Sequence, residues 1–202
     1  MKPVDILQKY YEPDSKTYHF LIHHSRLVAA KALEIAERVR HLKPDETFIE
    51  EAAMLHDIGI FFTAAPQLGC FGYKDYLCHG YLGRELLDRE GMPQHALVCE
   101  RHVGVGITAA DIETNNLPLP GRDMVPLSLE EKIICFADKF FSKREHDLMH
   151  EKPLQEVRQI IRHYGEEKVE IFDGWVRFFG YGGKTVLDGS PEKKVIVHKA
   201  EK

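Results

Sequence analysis

The chain has 202 residues, 44% of them hydrophobic, which is enough for one domain with a sizeable buried core. Its 27 basic and 32 acidic residues leave a net charge of -5, which argues against a broad cationic footprint for nucleic acid and leaves small phosphorylated partners open. No stretch approaches a membrane span, and the start Met1-Lys2-Pro3-Val4-Asp5 lacks the apolar core of a signal peptide, so a cytoplasmic protein without membrane contact is expected.

Helical periodicity dominates and no window alternates like a half-buried strand, so the expected fold class is all-α. The clearest helix is predicted from Tyr18 to Leu42, where Leu21, His24, Val28, Ala32, Ile35 and Val39 recur at three- and four-residue spacing. Lys43-Pro44 stops it. Thr47 with Glu50 resembles a capping box for the next helix, which ends at Gly59 after His56-Asp57. Residues 60–76 carry Pro, Gly, Cys and aromatics without clear period and read as a loop over the site, in the manner of a lid. Helices follow over Leu77 to Arg89 and Gln94 to His102, separated by Gly91 and Pro93. Residues 114–126 hold three prolines and form a connection. Ser128 with Glu131 then makes a second capping box, opening the helix that carries Asp138. Further helices are predicted at 153–163 and 166–179, before Gly180, Gly182 and Gly183 lead into a charged tail. The expected organisation is a single domain over 1–183, with its motifs within 18–145, and a tail over 184–202.

Six side chains share one property: His24, His56, Asp57, His79, His102 and Asp138 sit among apolar or small residues, on the stripe or at the end of a predicted helix. His24 precedes Leu27 and Val28, His56 follows Ala52 and Ala53, and His79 precedes Leu82 and Gly83. His102 follows Val98 and Cys99, and Asp138 follows Ile134 and Cys135. All six are therefore expected to point inward. A single inward histidine is more often a core residue bonded to a backbone carbonyl, but six together, two of them carboxylates, need a cation or many donors. Twelve histidines in all raise the expectation of a metal. Cys70, Cys78, Cys99 and Cys135 have no C-x-x-C spacing and read as reduced, buried thiols.

The segments Tyr18 to Ala32 with its His-Ser-x-x-Val-Ala core, Met54-Leu55-His56-Asp57-Ile58-Gly59, and Phe136-Ala137-Asp138-Lys139 resemble, in order, the first, second and last motifs of the HD-domain superfamily of metal-dependent phosphohydrolases, HDIG subgroup. The resemblance implies a helical bundle around a metal site. It assigns His24, His56, Asp57 and Asp138 to one divalent ion. His79 and His102 resemble the extra histidines of members that hold two ions, with Asp57 bridging.

Two departures stand out. Many HDIG proteins follow the glycine with a phosphate-contacting lysine, whereas this chain has Ile60. The cyclic-dinucleotide phosphodiesterase branch resembles His-His-Glu followed by Gly-Tyr-Pro, whereas Arg101-His102-Val103 stands here and no such segment follows. Lys139 and Arg144 remain as substrate-binding candidates, and Asp138 with Arg144 resembles a pattern in diadenosine-tetraphosphate-cleaving members. Among the other histidines, His23 lies on a wetter face than His24, His19 reads as a surface or outer residue, and His146-Asp147-Leu148-Met149-His150 reads as a short solvated segment.

The ligand types suit Fe, Mn, Zn, Co or Ni. The expected chemistry is hydrolysis of a phosphoester or phosphoanhydride in a small molecule, above all a nucleotide. His56 and Asp57 are the central catalytic pair, and the nucleophile is the hydroxide that a bound ion generates. No Ser-centred nucleophile elbow or glycine-rich phosphate loop is present. The alternatives are a di-iron oxygenase of the HD fold, similar to inositol oxygenase, and a nucleotide-binding sensor without turnover.

Overall fold

The computed structural model of the protein describes residues 2–142 and 150–182. These form α1 (Pro3–Tyr10), α2 (Lys16–Arg38), α3 (Glu46–Leu55), α4 (His79–Arg89), α5 (Pro93–Arg101), α6 (Ala109–Thr114), α7 (Leu129–Asp138), α8 (Leu154–Arg162) and α9 (Glu166–Phe178). The fold is all-α. Its only strands among the described residues are a two-residue antiparallel pair, β1 (Ala64–Ala65) and β2 (Cys70–Phe71), that the alternation pattern does not reveal. Arg144, residues 146–149 of the second His-Asp segment and the charged tail lie outside the described residues. No helix among those described is long and apolar enough to cross a membrane.

Helix α2 opens on Ser15, whose hydroxyl accepts the Tyr18 amide, and at 23 residues it is about 34 Å long. It ends at Arg38, earlier than its apolar period suggests, and a 3-10 turn over Arg40–Leu42 finishes at left-handed Lys43. The expected Thr47–Glu50 capping box does not form. Asp45 is the cap instead, its carboxylate accepting the Phe48 amide at 2.9 Å, which leaves Thr47 inside the first turn. The Ser128 box forms only in half. Ser128 accepts the Glu131 amide, but the Glu131 carboxylate turns to the Leu127 amide and to Arg101. The segment expected as a loop over 60–76 is knitted by 3-10 turns over Ile58–Phe62 and Pro66–Leu68, and by Thr17 Oγ1 donating to the Leu68 carbonyl at 2.8 Å.

Two apolar clusters flank the middle of α2. One gathers α1, the 58–68 segment and faces of α4 and α5 around Leu21, Leu55 and Ile58. The other gathers α3, α7, α8 and α9 around Val28, Ile35, Phe136 and Phe172. His24 lies between Leu21 of the first and Val28 of the second, so the polar side chains described below occupy the seam between two cores. Ile60 is wholly buried in the first cluster. Beside it the Tyr11 hydroxyl donates to the Ile58 carbonyl and accepts the Phe61 amide, and the full burial of position 60 suits an apolar residue.

Gly59 is required by close approach. A Cβ there would lie 2.2 Å from the His79 carbonyl oxygen and 2.4 Å from the Gly83 amide nitrogen, both backbone atoms at the start of α4. Gly83 in turn lies against Gly59 and Cys99, so α4 can seat His79 only because these positions lack side chains. Gly59→Ala is therefore expected to lower stability by about 1–3 kcal/mol or more, as over-packing does. Gly174→Ala on α9, with open space around it, should raise stability by about 0.4–1 kcal/mol. Denaturant unfolding of both variants checks the contrast, and an unchanged midpoint for Gly59→Ala contradicts the close approach.

Candidate metal centre

Five of the six side chains singled out from sequence stand where a helix begins or ends. His56 caps α3, Asp57 caps the 3-10 turn after it, His79 opens α4, His102 caps α5, and Asp138 closes α7. His24 alone lies mid-helix. The last carbonyls of a helix lack partners within it, and here ring N–H groups satisfy one such carbonyl in each of α3 and α5 and add a bond to the Tyr76 carbonyl in the 3-10 turn before α4. Nδ1 of His56 donates to the Ala53 carbonyl at 2.6 Å, Nδ1 of His79 to Tyr76 at 2.6 Å, and Nδ1 of His102 to Cys99 at 2.7 Å. Each bond places the proton on Nδ1 and turns the Nε2 lone pair into the seam between the two cores.

All six side chains converge there and none is more than 6% exposed. Asp57 Oδ1 lies 3.3 Å from Nε2 of both His79 and His102. Asp57 Oδ2 lies 3.4 Å from Nε2 of both His24 and His56. Asp138 Oδ1 joins the second pair, 3.1 Å from His24 Nε2 and 3.5 Å from His56 Nε2. The arrangement is one carboxylate set between two pairs of imidazoles, with a second carboxylate behind one pair. Donor atoms of His24, His56 and Asp138, and again of His56, Asp57 and His102, lie within 4.8 Å of one another, close enough for each group to hold a metal ion.

Two observations show that the donor set fits a cation. His79 Nε2 and His102 Nε2 face each other at 3.1 Å, although the Nδ1 bonds leave both as acceptors when the rings are neutral. A cation between them would satisfy both. His56 Nε2 is buried with no hydrogen bond, flanked by two carboxylates at 3.4 and 3.5 Å. Burial opposes a charge on His56, but Asp57 and Asp138 outweigh it and push its pKa up to about 9. His102 goes the other way, where burial, helped by His56 and His79, pushes it down to about 3 against the pull of Asp57. At neutral pH the ion-free cluster thus takes a proton at the place where a cation fits.

Lys139 is 12% exposed, and its ammonium contacts Asp138 Oδ2 at 2.8 Å and donates to the His102 carbonyl at 3.0 Å. Its engagement with the cluster is not legible in the sequence, where it reads as a substrate-binding candidate beside Asp138. The Tyr76 ring stacks on His79, with centroids 4.7 Å apart, and was not singled out from sequence either. Of the other histidines, His19 and His150 are exposed and His23 is less buried than His24, in line with their ranking. The four cysteines are free and buried, as expected.

A family model described as HD domain matches residues 21–142. A protein of Methanocaldococcus jannaschii described as uncharacterized is 33% identical over 129 residues, covering 61% of this chain and 69% of its own length. Two relatives named tRNA (cytidine(56)-2'-O)-methyltransferase are similar over shorter shares of their length. The one from Thermoplasma volcanium is 30% identical over 140 residues, covering 69% of this chain and 35% of the relative. The one from Picrophilus torridus is 31% identical over 123 residues, covering 60% of this chain and 31% of the relative. The chain thus spans about a third of each methyltransferase. No solved structure matches it. The family model covers more than half of the chain and all six converging side chains, and the protein belongs to the HD domain family.

Proposed function

We propose that the chain is a metal-dependent phosphohydrolase acting on a small phosphorylated molecule, with nucleotides as the first class to examine. The observation that carries this reading is the position of Asp57, whose two oxygens face two separate imidazole pairs at 3.3 and 3.4 Å. His24, His56 and Asp138 would hold one divalent ion, His79 and His102 a second, and Asp57 would bridge them. Imidazole with carboxylate suits Fe, Mn, Zn, Co or Ni. When bound, such an ion supplies Lewis acidity and lowers the pKa of its water toward about 7.

The protein's own contribution is orientation and charge. Carbonyl bonds to the three Nδ1 atoms fix the rings before substrate arrives, and burial on both sides keeps competing water away. The buried centre and the net charge of -5 favour a small phosphate ester over a nucleic-acid strand. Arg144, six residues beyond Asp138, is proposed as the phosphate-contacting cation that Ile60 cannot be. The methyltransferase name of two relatives belongs to proteins about three times as long as the region they share with this chain, and methyl transfer forms no part of the reading.

Metal content by elemental analysis, on protein purified without oxygen or chelator, combined with a screen of phosphate esters and nucleotides, tests the proposal. About two ions per chain and phosphate release are expected. Oxygen consumption by iron-loaded protein without phosphate release would instead favour the oxygenase. His56→Ala and Asp57→Ala should lose bound metal and hydrolysis while retaining helical circular dichroism, and full metal content in Asp57→Ala contradicts its assignment. His79→Ala should keep about one ion and lose most turnover, whereas a wild-type stoichiometry near one under metal-replete conditions removes the second site.

The raised His56 pKa gives a pH dependence with a definite sign. A metal must displace the proton that His56 holds below about 9, so metal affinity should rise from pH 6 toward pH 9 with release of a proton on binding. Calorimetric titration in buffers of different ionisation enthalpy measures that proton. Affinity that is flat over this range contradicts the assignment of His56.

A further inference from the structure

Lys139 touches both halves of the centre. One bond goes to Asp138 Oδ2 at 2.8 Å, on the oxygen turned away from His24 and His56. The other goes to the His102 carbonyl at 3.0 Å, and the Cys135 thiol donates to the same oxygen at 3.3 Å. The first contact sets the rotation of the Asp138 carboxylate, because an oxygen held by the ammonium leaves only Oδ1 to face the imidazoles. The second fastens the end of α5, from which the His102 ring reaches His79 and Asp57, onto the end of α7. Together with Asp57, the Cys135 bond and the edge contact between the His56 and His102 rings at 4.8 Å, it joins the His24, His56 and Asp138 group to the His79 and His102 group.

We propose that Lys139 is a positioning residue that keeps the two groups in register, and that this is its main task in place of the phosphate contact suggested by its sequence position. The proposal rests on the metal reading above. Two of the three ammonium protons are committed within the protein, and the side chain is held back beside Asp138. Removing it frees Asp138 to rotate and loosens the carbonyl anchor of His102, so both groups should bind an ion less tightly whether or not substrate is present.

The test uses the metal alone. Full-length apoprotein is titrated with cobalt(II), whose visible absorption reports the geometry of its ligands, and KM and kcat for a generic phosphate ester are then measured at saturating cobalt. Lys139→Met should weaken cobalt binding by about 10- to 100-fold, the loss typical of groups that orient metal ligands, and alter the absorption band. Lys139→Arg should recover much of the affinity, and Lys139→Gln, which keeps a neutral N–H donor group, guards against a Met variant that folds poorly. KM at saturating cobalt should stay within about twofold of wild type while kcat falls. Cobalt binding and absorption unchanged in Lys139→Met overturn the proposal, whether KM rises, which would make the lysine a substrate contact, or stays put, which would make it idle. Wild-type protein that binds no cobalt overturns the metal reading itself, and is distinguishable because it needs no variant.

Discussion

The arrangement depends on a carboxylate buried without direct solvent. Asp57 is fully enclosed, and its oxygens have four imidazole nitrogens around them at 3.3 to 3.4 Å. An isolated carboxylate in that position would cost several kcal/mol or more, and the neutral His79 and His102 rings, turned lone pair first toward it, add to the repulsion. Protonation of His56 relieves part of this, as its raised pKa shows, but His102 is driven the opposite way and stays neutral. Under the proposed reading, a cation on each face of Asp57 would engage the nitrogens that converge on it. The seam between two apolar clusters thus gathers donor groups that could hold a metal ion.

Helix ends do the positioning. A helix leaves its last carbonyls without internal partners, and in α3 and α5 those carbonyls take the ring Nδ1 protons of the histidines that cap them. One local feature thereby satisfies the helix terminus and fixes the ring that faces the ion. His79 obtains the same bond from the 3-10 turn that precedes α4, while Gly59 and Gly83 let that helix come near enough to use it. Glu100, two residues before His102, is buried and clamps Arg84 of α4 and Arg122 of the proline-rich connection. The segment over 114–126 is thus tied to the helix that presents His102, with Cys78 donating to the Pro118 carbonyl beside His79.

Much of this was legible in the sequence because burial is periodic. The stripes of α2, α4, α5 and α7 set the helix positions within a few residues, and the six inward polar residues stood out against them. What stayed hidden was either too short or too distant in the chain. Helix α1 has eight residues, below the length at which periodicity and propensity alone define a helix, and it forms by packing Ile6 and Leu7 into the first cluster. Helix α6 is shorter still, held by the Thr108 and Asp111 capping pair and by Lys168 from α9. Asp45 displaced Thr47 as a cap because a carboxylate one residue after Pro44 reaches the Phe48 amide directly, and spacing alone does not rank two such caps. The hold of Lys139 on Asp138 and His102 joins residues 37 apart, which no local pattern encodes.

The central claim is that cations lie on both sides of the Asp57 carboxylate. Anomalous X-ray diffraction from crystals of protein purified without chelator and loaded with manganese or cobalt locates such ions directly. Two peaks are expected, one among His24, His56, Asp57 and Asp138, the other among Asp57, His79 and His102, about 3.5–4 Å apart. A centre without anomalous density under metal-replete conditions, or ions bound only elsewhere on the protein, would contradict the account.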